Sequence, residues 1–364
     1  MRLASLIERF EPELLARHGE HLLPGAHRAL AAIRHCRSDD ASQMLLGCTE
    51  CQASATIAHS CGHRSCPRCQ HHQIEHWLAR QREGLLPVEY FLITFTVPQP
   101  LRGLAFAHQR IVYDAMLRCA WQCLAQFASN DPRLGVTLGA VGVLHTHDRR
   151  RGYHPHVHFA VPASGVEHTR QRWRQKDRYL FNARNLAKVF RGKLLAALHG
   201  AGLATPASMP RQWIADCRRA GHGDEALCYL ARYLYRGVLS ERDILTCSDQ
   251  GEVTFRYRDS NTRQWQTRTL NGADFLWLLL QHVLPRGFRR VRHYGLLHHK
   301  QRPLLRRIQY LLRTQLPVPP PAVRRPTLRC TLCGAPMRVL AARLHPDHAR
   351  RSAVPAQATW STPM

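Results

Sequence analysis

The sequence predicts an α+β fold, with strands paired antiparallel, helices around them, and a small zinc-binding module in front. Three observations carry this reading. The run Tyr90-Phe-Leu-Ile-Thr-Phe-Thr-Val97 is β-branched and aromatic and is closed by Pro98. Two more strand-like segments, 136–145 and 154–161, flank the turn Arg149-Arg-Arg-Gly152 and form an antiparallel hairpin. Apolar residues recur at helical spacing through 1–35 and 104–128, whereas 36–72 is rich in Cys, His and Gly and follows neither period.

Taken in order, Leu3, Leu6, Ile7, Phe10, Leu14 and Leu15 make an amphipathic first helix. Glu8, Glu11 and Glu13 inside that pattern exclude a signal-peptide core. No apolar stretch is long enough to span a bilayer, Phe275 to Leu280 included, so a cytoplasmic protein is expected. A short helix is expected around 73–82, and a basic helix over 168–200. Asp224 to Arg236 reads as a helix started at Gly223-Asp224. Segments 254–258 and 264–270 suggest a hairpin, and 271–284 a helix. Residues 315–326 are a proline-rich, extended linker.

Composition narrows the function. Among 364 residues, 52 Lys and Arg face 25 Asp and Glu, a formal charge of +27. That excess predicts a polyanionic partner and argues against a small-molecule metabolic enzyme. With 45% hydrophobic residues the chain can bury a core, which excludes wholesale disorder. An odd cysteine count of 13, in close pairs, fits metal sites in a reducing compartment better than a disulfide framework.

Cys48-x2-Cys51 is followed after 14 residues by Cys66-x2-Cys69. Two such knuckles supply four thiolates for a tetrahedral Zn²⁺, a structural site with no open position. Arg64 and Arg68 would lower the thiol pKa values. His59, Cys61, His63 and His71 are spare donors nearby, so the set can be permuted. Cys330-x2-Cys333, with His345 and His348 beyond, reads either as a second site or as a loose tail. Cys36, Cys119, Cys123, Cys217, Cys228 and Cys247 read as small buried hydrophobes.

On the strand His154-Pro-His156-Val-His158-Phe159 the side chains alternate, so the three histidines share one face and Val157 and Phe159 the other. Two imidazoles at i and i+2 can hold one divalent ion. His145-Thr146-His147 is a rival pair, less favoured because its middle residue is polar. Tyr229 and Tyr233 stand one helical turn apart on one face. Next to a metal, a tyrosine can attack a phosphodiester and store the bond as a phosphotyrosine. Ordinary aromatic packing is the other reading of the pair.

His156-Val157-His158 matches the motif of the HUH endonucleases, where U is a bulky hydrophobic residue. Four segments narrow the match. Ser60-Cys-Gly-His-Arg-Ser-Cys-Pro-Arg-Cys69, His154-Pro-His-Val-His158, Tyr229-Leu-Ala-Arg-Tyr233 and Arg292-His-Tyr-Gly-Leu296 resemble the tyrosine-pair transposases of rolling-circle insertion elements, the insertion sequence 91 family. The resemblance spans about 40 to 300. It implies a helix and zinc-binding domain over 1–85, an HUH catalytic domain on an antiparallel sheet over 86–312, and a proline-rich linker and basic tail over 313–364. It also implies Mg²⁺ or Mn²⁺ on His156 and His158, with Asp224, Glu225 or His154 as candidate third ligands. Tyr229 and Tyr233 would be the nucleophiles, and single-stranded DNA at element ends and target the substrate, with no membrane or small-molecule partner.

The arginines at 149–151, 170–178, 289–292 and 302–307 would face phosphates. Trp173 and Tyr179 either stack unpaired bases or belong to the core. Two other readings stay open: a non-enzymatic zinc protein that binds nucleic acid, with its tyrosines in the core, and a metal-dependent nuclease that hydrolyses with water.

Overall fold

The structure is a computed structural model. It describes all residues except 70, 168–171, 178–179, 235–237, 260–261, 263, 316–327 and 347–364, with backbone alone at 71–75 and 232–234. Helices α1 (Leu3–His18) and α2 (Pro24–Arg34) open the chain; α2 starts on Pro24, whose fixed φ suits a first turn. Strands β1 (Gln43–Cys48) and β2 (Ser54–Ala58) and helix α3 (His71–Arg82) follow. Then come β3 (Tyr90–Thr96), α4 (Leu101–Ala107), α5 (Gln109–Asn130), β4 (Thr137–His147), β5 (Tyr153–Pro162), β6 (Ser164–Glu167) and β7 (Arg172–Gln175). Helix α6 (Ala183–Gly200), β8 (Ala215–Arg219) and α7 (Asp224–Leu234) precede β9 (Ile244–Cys247), β10 (Glu252–Arg258), β11 (Trp265–Asn271) and α8 (Gly272–Leu280). The last described elements are β12 (Val291–Gly295), α9 (Arg302–Leu311) and β13 (Met337–Leu344).

The fold class is the expected α+β. The main sheet runs β7-β6-β4-β5-β3-β8, every pairing antiparallel, with β12 on the free stretch of β4. Strand alternation splits its residues cleanly. Phe95, Val157, Phe159 and Val161 bury on one face against α5 and α6. Val141, Val143 and Ala160 bury on the other, under Trp77 of α3, Leu227 and Leu230 of α7 and Ile308 of α9. Each fully buried Phe or Leu contributes about 1.5–3 kcal/mol. Close approach dictates the glycines of this sheet. A Cβ on Gly142 would sit 2.7 Å from the Phe159 ring, and one on Gly295, at φ +53°, would strike the Leu138 carbonyl.

The helix expected over 168–200 is helical only from Ala183. Upstream, Val166 pairs with Trp173 across β6 and β7, and Arg174 bonds Glu167. The real start signal is Asn182, whose side chain accepts the Asn185 N–H at 3.0 Å.

Helix α1 packs on α8 and the β9–β11 sheet, where Leu6, Ile7 and Phe10 meet Phe255 and Phe275. The stretch 313–364, expected as linker and tail, supplies β13 to the N-terminal sheet β13-β1-β2, with Met337 opposite Cys48. Gly47 makes the fit possible, because a Cβ there would meet Leu340 at 2.7 Å.

Candidate active site and cysteine centres

β5 lies between β4 and β3, and its polar face is the face that carries His154, His156 and His158. The pairing register sets His145 opposite His156 and Thr94 opposite His158. One donor atom from each of His145, His156 and His158 lies within 4.8 Å of the others. His156 Nδ1 is 2.7 Å from the His154 carbonyl. A carbonyl only accepts, so Nδ1 carries the proton and Nε2 keeps its lone pair. His158 Nδ1 lies 2.7 Å from Thr94 Oγ1, a hydrogen bond that sets the orientation of that ring. Burial pushes His156 down to about 4, and burial followed by the neighbouring imidazoles holds His145 and His158 well below the usual range. All three are neutral at neutral pH.

His145 is the residue that sequence reasoning passed over for this trio. Counting outward from the 149–152 turn would have set it against His156. His147, its rival partner, faces His282 at 5.4 Å between ring centres. The three candidates for third ligand point elsewhere. Arg82 holds Asp224 through two bonds of 2.6 and 3.2 Å, and Glu225 lies over Gly221. His154 Nδ1 faces Arg102 at 2.5 Å.

Helix α7 sits over the histidine face because Ala226, Leu227, Leu230 and Ala231 bury there. That places the Tyr229 ring 5.4 Å from the His158 ring, at 75°. Tyr233 follows one turn later on α7; its side chain lies outside the described residues.

The four cysteines expected as one set fall into two. Cys66 and Cys69 join Cys36 and Cys61; Cys48 and Cys51 join Cys330 and Cys333. The knuckle spacing was legible, but the pairing of knuckles depends on the turn after α2 and on β13. In the first set, sulfur separations are 3.4 Å (Cys36–Cys69), 3.6 Å (Cys36–Cys66) and 3.7 Å (Cys61–Cys69). Cys36 is therefore a candidate ligand and no filler. Arg64, expected to act on the thiols, spends its guanidinium on the carbonyls of Leu284, Pro285 and Phe288.

Two family models match the chain: "Transposase zinc-binding domain" over residues 6–97 and "Putative transposase" over 139–303. A "Putative transposase y4qJ" of Sinorhizobium fredii is 28% identical over 82% of this chain and 81% of its own length. The "Transposase for insertion sequence element IS801" of Pseudomonas savastanoi pv. phaseolicola is 28% identical over 79% of this chain and 76% of its own. The chain belongs to the insertion sequence 91 family of transposases. Among solved structures, the TrwC complex with a 27-mer DNA shares 13% identity over 62% of this chain and 74% of that one, at a TM-score of 0.26.

The transposase is thus a DNA-binding, DNA-cleaving enzyme with an N-terminal zinc-binding domain. Its expected stacking residues divide. Trp173 packs partly buried against the α7 side of the core, and Tyr179 lies outside the described residues. Several basic residues serve the fold first: Arg290 Nε donates to the Leu144 carbonyl, and Arg292 pairs with Asp114. Among the described residues no helix is long and apolar enough to cross a membrane.

Proposed function

We propose that the transposase cuts and rejoins single-stranded DNA through a 5′-phosphotyrosine on Tyr229, with His145, His156 and His158 holding a divalent ion. The donor set fits such an ion: three buried, neutral imidazoles with converging nitrogens and hydrogen bonds that orient two of the rings. When bound, Mg²⁺ or Mn²⁺ would polarise a phosphoryl oxygen and offset transition-state charge.

The protein's own part is positioning. Helix α7 carries the Tyr229 phenol to the edge of the metal-binding face. The phenol gives up its proton as its oxygen forms a bond to phosphorus, the bond from phosphorus to the 3′ oxygen breaks, and the departing 3′ oxygen takes up a proton to leave as a free 3′ hydroxyl. The phosphoryl group stays on tyrosine, so its bond energy is conserved for rejoining. Tyr233 would perform the second transfer, which lets one element end be exchanged for another without hydrolysis, in a rolling-circle-like route. The N-terminal Zn²⁺ would sit on Cys36, Cys61, Cys66 and Cys69 and hold α2 to the segment before α3. The single observation that carries this reading is the contact of Tyr229 with His158. It disfavours a non-enzymatic protein whose tyrosines are core.

Covalent trapping tests it. Labelled single-stranded DNA from the flanks of the gene is incubated with protein, with Mn²⁺ or with EDTA. The expected result is a metal-dependent adduct that survives denaturation and is lost in Tyr229→Phe. Cleavage without an adduct would establish the hydrolytic reading instead.

A further inference from the structure

We infer that Cys48, Cys51, Cys330 and Cys333 hold a second structural zinc ion, which clasps the C-terminal segment 328–344 onto β1. The matched zinc-binding domain ends at residue 97, so half of this site lies outside it.

Four observations carry the inference. First, all four sulfurs lie within 4.8 Å of one another, with Cys48–Cys333 at 3.4 Å and Cys51–Cys330 at 3.6 Å. Zinc–sulfur bonds of about 2.3 Å in a tetrahedron put sulfurs about 3.8 Å apart. Second, the two Cys-x2-Cys turns are built alike. Cys48 N–H donates to the Ala53 carbonyl and Cys330 N–H to the Ala335 carbonyl, each at 2.8 Å. The residue after each second cysteine is left-handed, Gln52 at φ +60° and Gly334 at φ +74°. Third, the N–H groups of Glu50 and Cys51 approach Cys48 Sγ at 3.4 and 3.5 Å, the arrangement that stabilises a metal-bound thiolate. Fourth, the local core is too small to hold the two segments. It has five buried residues: Leu46, Cys48, Ala55, Cys330 and Met337. So small a core needs a metal or a bridge. The flanking pairing of β1 with β13 and the Thr49 bonds to the Pro336 carbonyl bring the knuckles into register.

The test counts zinc held by thiolates. Full-length protein is gel-filtered in EDTA to clear weakly held metal, then treated with a mercurial that displaces zinc from sulfur. Two equivalents are expected from the wild type and one from the Cys330→Ser/Cys333→Ser double variant. Cys66→Ser, acting on the other set, should also leave one. A wild-type value of one, or no loss in the double variant, overturns the inference. So does a pair of disulfides in place of the metal, seen as four missing thiols with no second zinc. The clasp has its own readout. With a protease site inserted in 316–327 and cut, the C-terminal fragment should stay with the body in zinc and leave when the mercurial is added. Retention after both zinc ions are gone would mean that strand pairing alone holds the tail, and the clasp would fall.

Discussion

The Tyr229 ring meets the His158 imidazole edge to face, with centres 5.4 Å apart. The contact joins α7 to the central strand β5, and the buried side chains beneath α7 set its geometry. Ala226, 1% exposed, sets how closely α7 lies on the sheet. Overfilling such a position costs about 1–3 kcal/mol and shifts the backbone. Ala226→Leu should therefore slow adduct formation at least about tenfold, a misplacement effect, while Mn²⁺ affinity stays near wild type. Parallel losses in both would mean that the helix supports the metal site as well as the tyrosine.

The histidine site should depend on its supports as well as on its ligands. His145→Ala removes one of three donors, and Thr94→Val removes the partner that orients His158. Loss of an orienting partner typically costs about 10–100-fold in metal affinity. Thr94→Val should fall in that range by Mn²⁺ titration, with His145→Ala weaker still. If His145→Ala binds Mn²⁺ as the wild type does, the third ligand is elsewhere.

Acid should weaken the fold through a second group of histidines. Burial holds His282 down to about 4 and His147 well below its usual range. His282 Nε2–H donates to the Arg151 carbonyl at 2.9 Å. In the unfolded chain these rings take up protons near pH 6.5. Their folded values are depressed, so the unfolded state binds more protons between about 6.5 and 4. Their stabilising effect is complete above about 6.5 and is lost as pH falls toward 4. Urea midpoints should therefore drop from pH 7.5 to pH 5. His282→Gln keeps a donor for Arg151 and cannot titrate, so its decline should be shallower. An identical slope would show that His282 does not carry the effect.

How much of this was legible in the sequence depends on distance along the chain. The 136–145 and 154–161 hairpin and its histidine face follow from a two-residue period, and the position of Tyr229 on its helix follows from a 3.6-residue one. Both are local rules. The cysteine pairing is not local. Spacing marks Cys48-x2-Cys51 as a knuckle, but its partner knuckle is separated from it by nearly the whole protein, and β1–β13 pairing decides the match. Cys36 gave no spacing signal, because the end of α2 delivers it to Cys61 and Cys66. The stretch 172–175 was misread because alternating Arg, Trp and Gln satisfy both periods when so few residues are counted.

The β13-β1-β2 sheet also imposes an order on synthesis. β1 leaves the ribosome early, and its outer edge has no partner until residues 337–344 follow. A long loop must then close before that pairing is rewarded, which makes this a slow step. Until then an open strand edge and two unmatched thiols are exposed to other chains. A chain cut short before Cys330 would still contain the histidine trio and both tyrosines, yet its N-terminal sheet would stay unfinished. In the proposed scheme the clasp serves as a check on completeness: the residues assigned to DNA cutting lie in the middle of the message, and the piece that finishes the module lies near its end.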